Sequence, residues 1–418
     1  MTAHVQDRAP GLNAGRPALS RCVAGDLTSF ATEVWGRRPL LSRAGELPAA
    51  GGLFSPEAVD ELVADRGLRT PFLRVAKNGM TLGDREFTSG GGVGATVTDQ
   101  LSDDKLLRLF ADGATMVLQG LHRTWGPLVT FSQQLAAELG HPVQVNAYVT
   151  PAQSQGFSDH YDVHDVFVLQ VQGEKRWMVR PPVHPSPLRD HAWTDRRADV
   201  ERAARAEPML DVVLRPGDVL YLPRGFLHAA KALGGVSTHL TVGIHTWTRY
   251  SLAEQLLAEA LAVVAEDPEV RASLPLGADV SDGSSVSAAV HDVRAALVRA
   301  MDGVTPETVA ARMGRAASSA QRAAPVHPLA QLSAAESLDR STVVRLRSHL
   351  RARLERRGKA DVVISRAGQV RLDDDAQTRC LAELLDGDAV SVGELVDRHG
   401  EVQPLVRRLL LAGVLVAR

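Results

Sequence analysis

From Val143 to Val149 apolar and polar residues alternate (Val-Gln-Val-Asn-Ala-Tyr-Val), the period-two mark of a strand with one buried face. Val166-Phe-Val-Leu-Gln-Val171 is nearly continuous in apolar residues, and Arg176-Trp-Met-Val-Arg180 alternates again. Further strand signals fall at 212–214, 218–222 and 238–247, several of them separated by Gly-Pro-Asp turn chemistry. Many short strands joined by turns predict a sandwich or barrel over residues 141–247. Upstream, residues 18–140 mix short elements. Helices are expected at 28–37, 55–66, 103–110 and 125–139, and strands at 70–77 and 116–118. Ser55 caps the second helix, with Pro56 in its first turn. Gly90-Gly-Gly92 lacks phosphate-loop spacing and reads as a plain turn.

The pattern changes after Trp247. Ser251–Ala265 reads as a helix, and Val286, Val290, Val293, Leu297 and Met301 form one apolar helical stripe. Such a stripe must be buried, either on the chain's own barrel or in a helix–helix dimer seam. Residues 316–332 read as a linker. Ser341–Arg357 is rich in arginine and is expected as a solvated helix face, with a nucleic-acid footprint as the alternative. The end reads strand (361–365), strand (369–372), three helices (376–385, 391–399, 403–412) and strand (414–417). This order suits a winged-helix-like module or a small α+β cap.

Composition narrows the class. The chain has 418 residues, 44% hydrophobic and 23% charged, enough for two or three domains. A net charge of −2 gives no overall pull toward nucleic acid or an anionic membrane. Two cysteines, Cys22 and Cys380, exclude a cysteine-rich metal site and suit a reducing cytoplasm. Residues 1–17 lack an apolar core and are expected to be a disordered tail rather than a signal peptide. No stretch approaches the roughly 20 apolar residues of a membrane helix.

The chemistry concentrates around His160-x-Asp162, in a polar turn between two strands, and His228, which follows Gly217-Asp218-x-Leu-Tyr-x-Pro-x-Gly225. Residues two apart on extended chain point the same way. Two histidines and one carboxylate on strands are the ligand set of a non-haem Fe(II) site. An anionic co-substrate such as 2-oxoglutarate needs a buried cation, and Lys175 on the following strand is a candidate. An outward-facing strand lysine is the alternative. Asn146, Tyr148 and Thr241 are polar residues in strand patterns that could bind the co-substrate or satisfy backbone. His164 lies on the ligand turn. His239 and His245 share a strand face and read as satisfied core histidines.

Over residues 30–250 these motifs resemble the JmjC (cupin-like) ribosomal oxygenases, which are Fe(II)- and 2-oxoglutarate-dependent protein hydroxylases. The resemblance rests on Asn146-x-Tyr148-x-Thr150-Pro151, Gly156-Phe157, His160-Tyr-Asp162-x-His-Asp165-x-Phe167, Gln170-x-x-Gly173-x-Lys175-x-Trp177, the Gly217–His228 segment, Ser237-Thr-His239-x-Thr241 and Trp35-Gly-Arg-Arg-Pro-Leu40. It implies an α+β protein: a double-stranded β-helix with flanking helices, a helical dimerisation region and a C-terminal winged helix. The expected organisation is a tail at 1–17, a catalytic domain at 18–247, a possible dimerisation region at 248–332 and a winged-helix-like domain at 333–418. It further implies that His160, Asp162 and His228 bind iron, that Lys175 pairs the distal carboxylate of 2-oxoglutarate, and that Asn146, Tyr148 and Thr241 line the same pocket. The implied activity, with O2, is hydroxylation of a protein side chain such as Arg or His of a ribosomal protein, by a cytoplasmic homodimer. Hydroxylation of a small molecule or peptide natural product, and a non-catalytic binding barrel, are the alternatives. No direct nucleic-acid or membrane binding is expected.

Overall fold

The structure is a computed structural model that describes residues 15–48, 52–77, 79–154, 158–358, 360–386 and 388–418. Most of the expected N-terminal tail, and the motif residues Gly156 and Phe157, lie outside the described residues. Pro17 already opens a helical turn, Pro17–Ser20. The chain divides into two compact units, one ending at Thr246 and the other beginning at Trp247.

The first unit is built on a nine-stranded antiparallel sheet. Its strands are β1 (Leu40–Ser42), β2 (Leu73–Lys77), β3 (Met80–Thr81), β4 (Thr115–Leu118), β5 (Val143–Thr150), β6 (Asp165–Pro182), β7 (Leu210–Leu214), β8 (Val219–Leu222) and β9 (Phe226–Ile244). They run in the order β1-β8-β6-β9-β5-β4-β2-β3, with β7 against β6. Two of the runs expected as separate strands, 166–171 and 176–180, are one strand. Gly173 bends it without breaking it: φ is +65°, and a Cβ there would lie 2.1 Å from the Val236 carbonyl oxygen. The facing strand β9 is irregular between Leu233 and Thr238, so the pair bends together.

The apolar run in β6 has a simple cause. Phe167 and Leu169 pack into the large core that includes Phe30, Leu128 and Leu135, while Val166 and Val168 face a second cluster with Trp177, Val179 and Leu220. A strand buried on both faces carries no alternation. Helices α1 (Asp103–Ala111, capped by Ser102) and α2 (Gly126–Leu139) flank the sheet.

The Trp35–Leu40 signature folds onto the ligand-bearing end of the barrel. Trp35 stacks on Tyr221, and the Gly36 N–H donates to the Tyr221 hydroxyl at 2.9 Å. That hydroxyl donates to the fully buried Asp165 at 2.6 Å. Asp165 also accepts from the Arg224 N–H at 3.0 Å and lies 3.6 Å from its guanidinium. The start of β6 and the segment before β9 are thereby tied together, and between them they carry the candidate ligands.

The second unit contains α3 (Arg249–Val264), α4 (Gly283–Gly303), α5 (Pro306–Ala320) and α6 (Pro328–Glu336). The stripe on α4 is half covered. Ala296 and Ala300 pack on Ala260 and Val264 with Leu297 and Met301, while Val290 and Val293 stay exposed. Residues 316–332, expected as a linker, are largely the end of α5 and the start of α6. Alanine favours helix, and Pro306 and Pro328 each open one at a first-turn position.

Ser341–Arg357 is not helical. It contributes β10 (Val343–Leu346) and β11 (Arg353–Arg357); in β11 Leu354 packs into the core, and Arg353, Glu355 and Arg357 take the other face. β11 continues as a meander with β12 (Ala360–Ser365) and β13 (Gly368–Arg371). β10 lies between β14 (Val390–Ser391) and β15 (Leu415–Ala417). Three helices, Asp375–Leu385, Val392–His399 and Gln403–Leu411, complete this part, and its core includes Leu381, Leu395, Leu405 and Leu409. No helix among the described residues is long and apolar enough to cross a membrane.

Candidate metal centre and co-substrate cavity

His160 and His228 sit across from each other on two antiparallel segments. The His160 N–H donates to the His228 carbonyl at 3.2 Å, and the His228 N–H to the His160 carbonyl at 2.9 Å. The Gly225 N–H then donates to the Asp162 carbonyl at 2.9 Å, which holds the next residues of the turn on the same rail. Backbone pairing thus brings together three side chains drawn from residues 160 to 228 of the sequence. One ligand atom from each of His160, Asp162 and His228 lies within 4.8 Å of the others.

The imidazoles are already oriented. His160 Nδ1 is 2.7 Å from the Ser158 carbonyl, and His228 Nδ1 is 3.0 Å from the Phe226 carbonyl. An N–H on Nδ1 that donates to a carbonyl leaves the Nε2 lone pair for a metal. Burial, and then His160, pushes the His228 imidazolium down to about 4, so this ring is neutral at pH 7. Burial alone would raise the Asp162 carboxyl. His164, His228, His160 and Arg74 around it outweigh that and hold it below the usual carboxylate range. Two imidazoles and one carboxylate are the donor set that suits a borderline divalent metal.

The three groups open onto a cavity of about 250 Å³. Lys175 lies in its wall, 4% exposed, with Nζ donating to Thr150 Oγ1 at 3.1 Å. No carboxylate pairs with it among the described residues, and burial pushes its ammonium down to about 7. A buried cation without a counter-charge is costly unless an anion joins it. Tyr148 and Thr241 also line the cavity.

Asn146 does not. It faces Thr241 across the β5–β9 register, one rung beyond Tyr148, but its Oδ1 accepts the Gly120 N–H at 3.1 Å and it is absent from the cavity wall. This is the backbone-satisfying role that was the other reading of its strand position.

His239 differs from expectation too. It is buried, but it lines the cavity, stacked on Tyr148 at 5.0 Å and edge-on to Trp177. Its Nδ1 has no hydrogen-bond partner among the described residues, so it is not a satisfied core histidine. Burial and the neighbouring Lys175 keep it neutral by lowering its pKa well below the ordinary value. His245 is near Arg189, and His164 rests edge-on against His245; neither lines the cavity.

Arg74, Thr115 and Trp193, which no sequence motif singled out, also lie in the cavity wall, as does Thr150, which appeared in the sequence only as part of a motif and without a role. Arg74 Nη2 lies 3.5 Å from the Tyr148 hydroxyl. Its signal was available: an arginine inside an otherwise apolar strand run, Phe72-Leu-Arg-Val-Ala76. Trp193 comes from the insert after β6 and approaches His160 with ring centroids 6.4 Å apart. Nothing in its local pattern pointed to the cavity.

Comparison with known proteins agrees with this architecture. Residues 127–252 match the family described as JmjC domain. Ribosomal oxygenase 1 of Gallus gallus is 32% identical over 273 residues, which cover 64% of this chain and 43% of that protein. The bifunctional lysine-specific demethylase and histidyl-hydroxylase NO66 of Drosophila persimilis is 36% identical over 137 residues, 32% of this chain and 19% of that protein. The chain therefore spans less than half the length of these curated relatives. Among solved structures, the Escherichia coli ribosomal oxygenase YcfD superposes with a TM-score of 0.54 at 18% identity, covering 94% of this chain and 98% of that one. YcfD in complex with cobalt and 2-oxoglutarate gives 0.52 at 17% identity, with the same coverage. At this identity the likeness establishes the fold: a JmjC/cupin-like sheet with added helices.

Proposed function

We propose, for a chain that carries a JmjC domain across residues 127–252, an Fe(II)- and 2-oxoglutarate-dependent dioxygenase that hydroxylates a protein side chain. The observation that carries this reading is one cavity with two complementary features. His160, Asp162 and His228 converge within 4.8 Å, and Lys175 is buried without a carboxylate partner among the described residues.

His160, Asp162 and His228 would hold the iron through two Nε2 atoms and a carboxylate oxygen. When bound, Fe(II) supplies the O2-dependent oxidation that couples 2-oxoglutarate decarboxylation to succinate and CO2 with hydroxylation of an unactivated C–H bond. The chain's own residues supply position. The Ser158 and Phe226 carbonyls fix the imidazole tautomers. Lys175 with Thr150 pairs the distal carboxylate of 2-oxoglutarate, and Tyr148 and Thr241 flank the co-substrate. Val166, Val168 and Trp177 provide the apolar wall that excludes water. Trp193, against His160, and Arg74, against the Tyr148 hydroxyl, complete the wall.

The names of the relatives, ribosomal oxygenase and histidyl-hydroxylase, support a ribosomal protein as substrate with a histidine side chain as the target; arginine is the other target that the motif resemblance implies. The domain organisation we infer is catalytic over 18–247, helical over 248–332 and winged-helix-like over 333–418. The exposed Val290 and Val293, with Leu257 and Leu261 on α3, support a helix-mediated homodimer. The buried free thiols of Cys22 and Cys380 suit a cytoplasmic setting. The test is turnover: recombinant chain with Fe(II), 2-oxoglutarate and O2 should release succinate and add one oxygen atom to a ribosomal-protein peptide, read by mass spectrometry. Succinate release with metabolites but with no ribosomal peptide would move the substrate to small molecules.

A further inference from the structure

The charge of the second unit is segregated. Between Arg340 and Arg371 the sequence carries ten Lys or Arg residues against two carboxylates, Glu355 and Asp361, in a chain whose formal net charge is −2. The near-neutral total that argued against a nucleic-acid partner hides this concentration. Some of these arginines are structural: Arg347, for example, donates to the Ala324 carbonyl at 2.6 Å. Arg340 pairs with Asp397, and Arg345, in β10, donates to Ser348; the remaining described ones lie on or beside the meander β11–β12–β13.

Register decides which way they face. Leu354, Val363 and Val370 lie on one face and pack into the core. Arg353 pairs across from Ile364 and Gln369, Glu355 from Val362 and Arg371, and Arg357 from Ala360. Arg353, Arg357 and Arg371 therefore share the opposite face. Glu355 lies between the first two and ion-pairs with both, which leaves the face with an excess of positive charge. Arg351 and Arg366 are exposed at its rim, and with Arg371 they meet no carboxylate partner among the described residues.

The loop before β11 is shaped to present this rim. His349 and Arg351 both adopt left-handed backbone, at φ 60° and 40°, on either side of Leu350, which is 3% exposed. Burying Leu350 as an anchor turns its neighbours outward.

The chemistry of the face selects among anionic partners. No Phe, Trp or Tyr follows Tyr250 in the chain, so there is no platform on which unpaired bases could stack. Reading the B-DNA major groove takes a helix or a two-stranded ribbon that projects into it. A-form RNA instead offers a wide, shallow minor groove edged by phosphates and 2′-hydroxyls, which a flat guanidinium-bearing sheet can meet. We propose that the outer face of β11–β12–β13, with Arg351 and Arg366 at its rim, binds the sugar–phosphate backbone of double-helical RNA.

The test uses the full chain and a fluorescein-labelled RNA duplex of about 16 base pairs, long enough to present successive minor grooves, read by anisotropy across a salt series. The wild type should bind the duplex, with affinity falling steeply as salt rises. The combined Arg351→Gln, Arg357→Gln and Arg371→Gln variant should bind about tenfold or more weakly, with the salt slope shallower by about 0.9 for each phosphate that is no longer neutralised. Its thermal melt should match the wild type; if it does not, single Arg351→Gln carries the same test with a smaller shift. Arg271→Gln, Arg294→Gln and Arg299→Gln together, exposed elsewhere in the unit, should leave RNA binding unchanged. Four results would overturn the proposal: no RNA binding at low salt, equal loss in both triple variants, a DNA duplex of the same sequence bound as tightly, or displacement of RNA by polyglutamate at equal charge concentration. The last would give the surface to an acidic protein.

Discussion

At one end of the cavity, His160, Asp162 and His228 form a cluster that is ready before any ligand arrives. The His160 and His228 backbones are hydrogen-bonded to each other, the Asp162 carbonyl accepts the Gly225 N–H, and both imidazoles are tied through Nδ1 to carbonyls. At the other end, Lys175 is buried with a single hydroxyl partner and no counter-charge among the described residues. The first end has its geometry set by backbone pairing and would hold a cation. The second is electrostatically incomplete and gains from an anion. A dianionic co-substrate that chelates a metal with one end and offers a free carboxylate at the other resolves both conditions. The contrast teaches that the two halves of the site respond to different perturbations.

Removing a metal-end group should have the largest effect. His160→Ala or Asp162→Ala is expected to abolish succinate formation while circular dichroism and the melting temperature stay close to wild type. Full activity in either variant would break the assignment of that end. Lys175→Ala comes next. Loss of a charge-assisted hydrogen bond of about 1.5–3 kcal/mol should raise the KM for 2-oxoglutarate roughly 10- to 100-fold, with Fe(II) affinity nearly unchanged. An equal loss of both would mean that the two ends are not separable.

The pH dependence sharpens the contrast. Lys175 titrates at about 7 in the folded protein, against an ordinary value of 10.5. Above pH 7 the empty cavity holds a neutral amine, so binding the anion must take up a proton. Affinity for 2-oxoglutarate should therefore weaken as pH rises from 7, by at most about tenfold per pH unit. Calorimetry in buffers of different ionisation enthalpy should report proton uptake. Lys175→Arg, which stays charged, should lose this dependence. The same shift works against the fold. The unfolded chain binds the extra proton between pH 7 and 10.5, so ligand-free stability from this group rises across that window. The smallest effect is expected at Asn146. Asn146→Ala should cost about 1 kcal/mol of stability, from the lost bond to Gly120 N–H, and leave the KM for 2-oxoglutarate within about twofold.

Much of this site was legible because its chemistry is carried by short motifs in extended chain. His160-x-Asp162 and His228 are brought together as the spacing of strands and turns suggested, and Tyr148, Lys175 and Thr241 fall on the cavity wall. What escaped depends on long-range pairing. Arg74 enters from a strand two places removed in the sheet from β5, and Trp193 from an insert whose local pattern is silent. His239 was misread because strand periodicity reports which face a residue takes, not whether that face meets packed side chains or a cavity. In the second unit, Arg353–Arg357 looked helical because six arginines within 345–357 mask the single inward Leu354. The runs 166–171 and 176–180 read as two strands because a left-handed glycine such as Gly173 inside a bent strand has the same local signature as one that ends it.

In the proposed function one cavity holds a metal at the triad and an anion at Lys175. Anaerobic titration of the full chain with Fe(II), in the presence and absence of 2-oxoglutarate, tests it most directly. The expected result is a visible charge-transfer band that needs both components, shifts to higher 2-oxoglutarate concentration in Lys175→Ala, and fades with succinate release when O2 is admitted. A folded protein that gives no band and no succinate would contradict it, leaving a barrel that binds a partner without this chemistry.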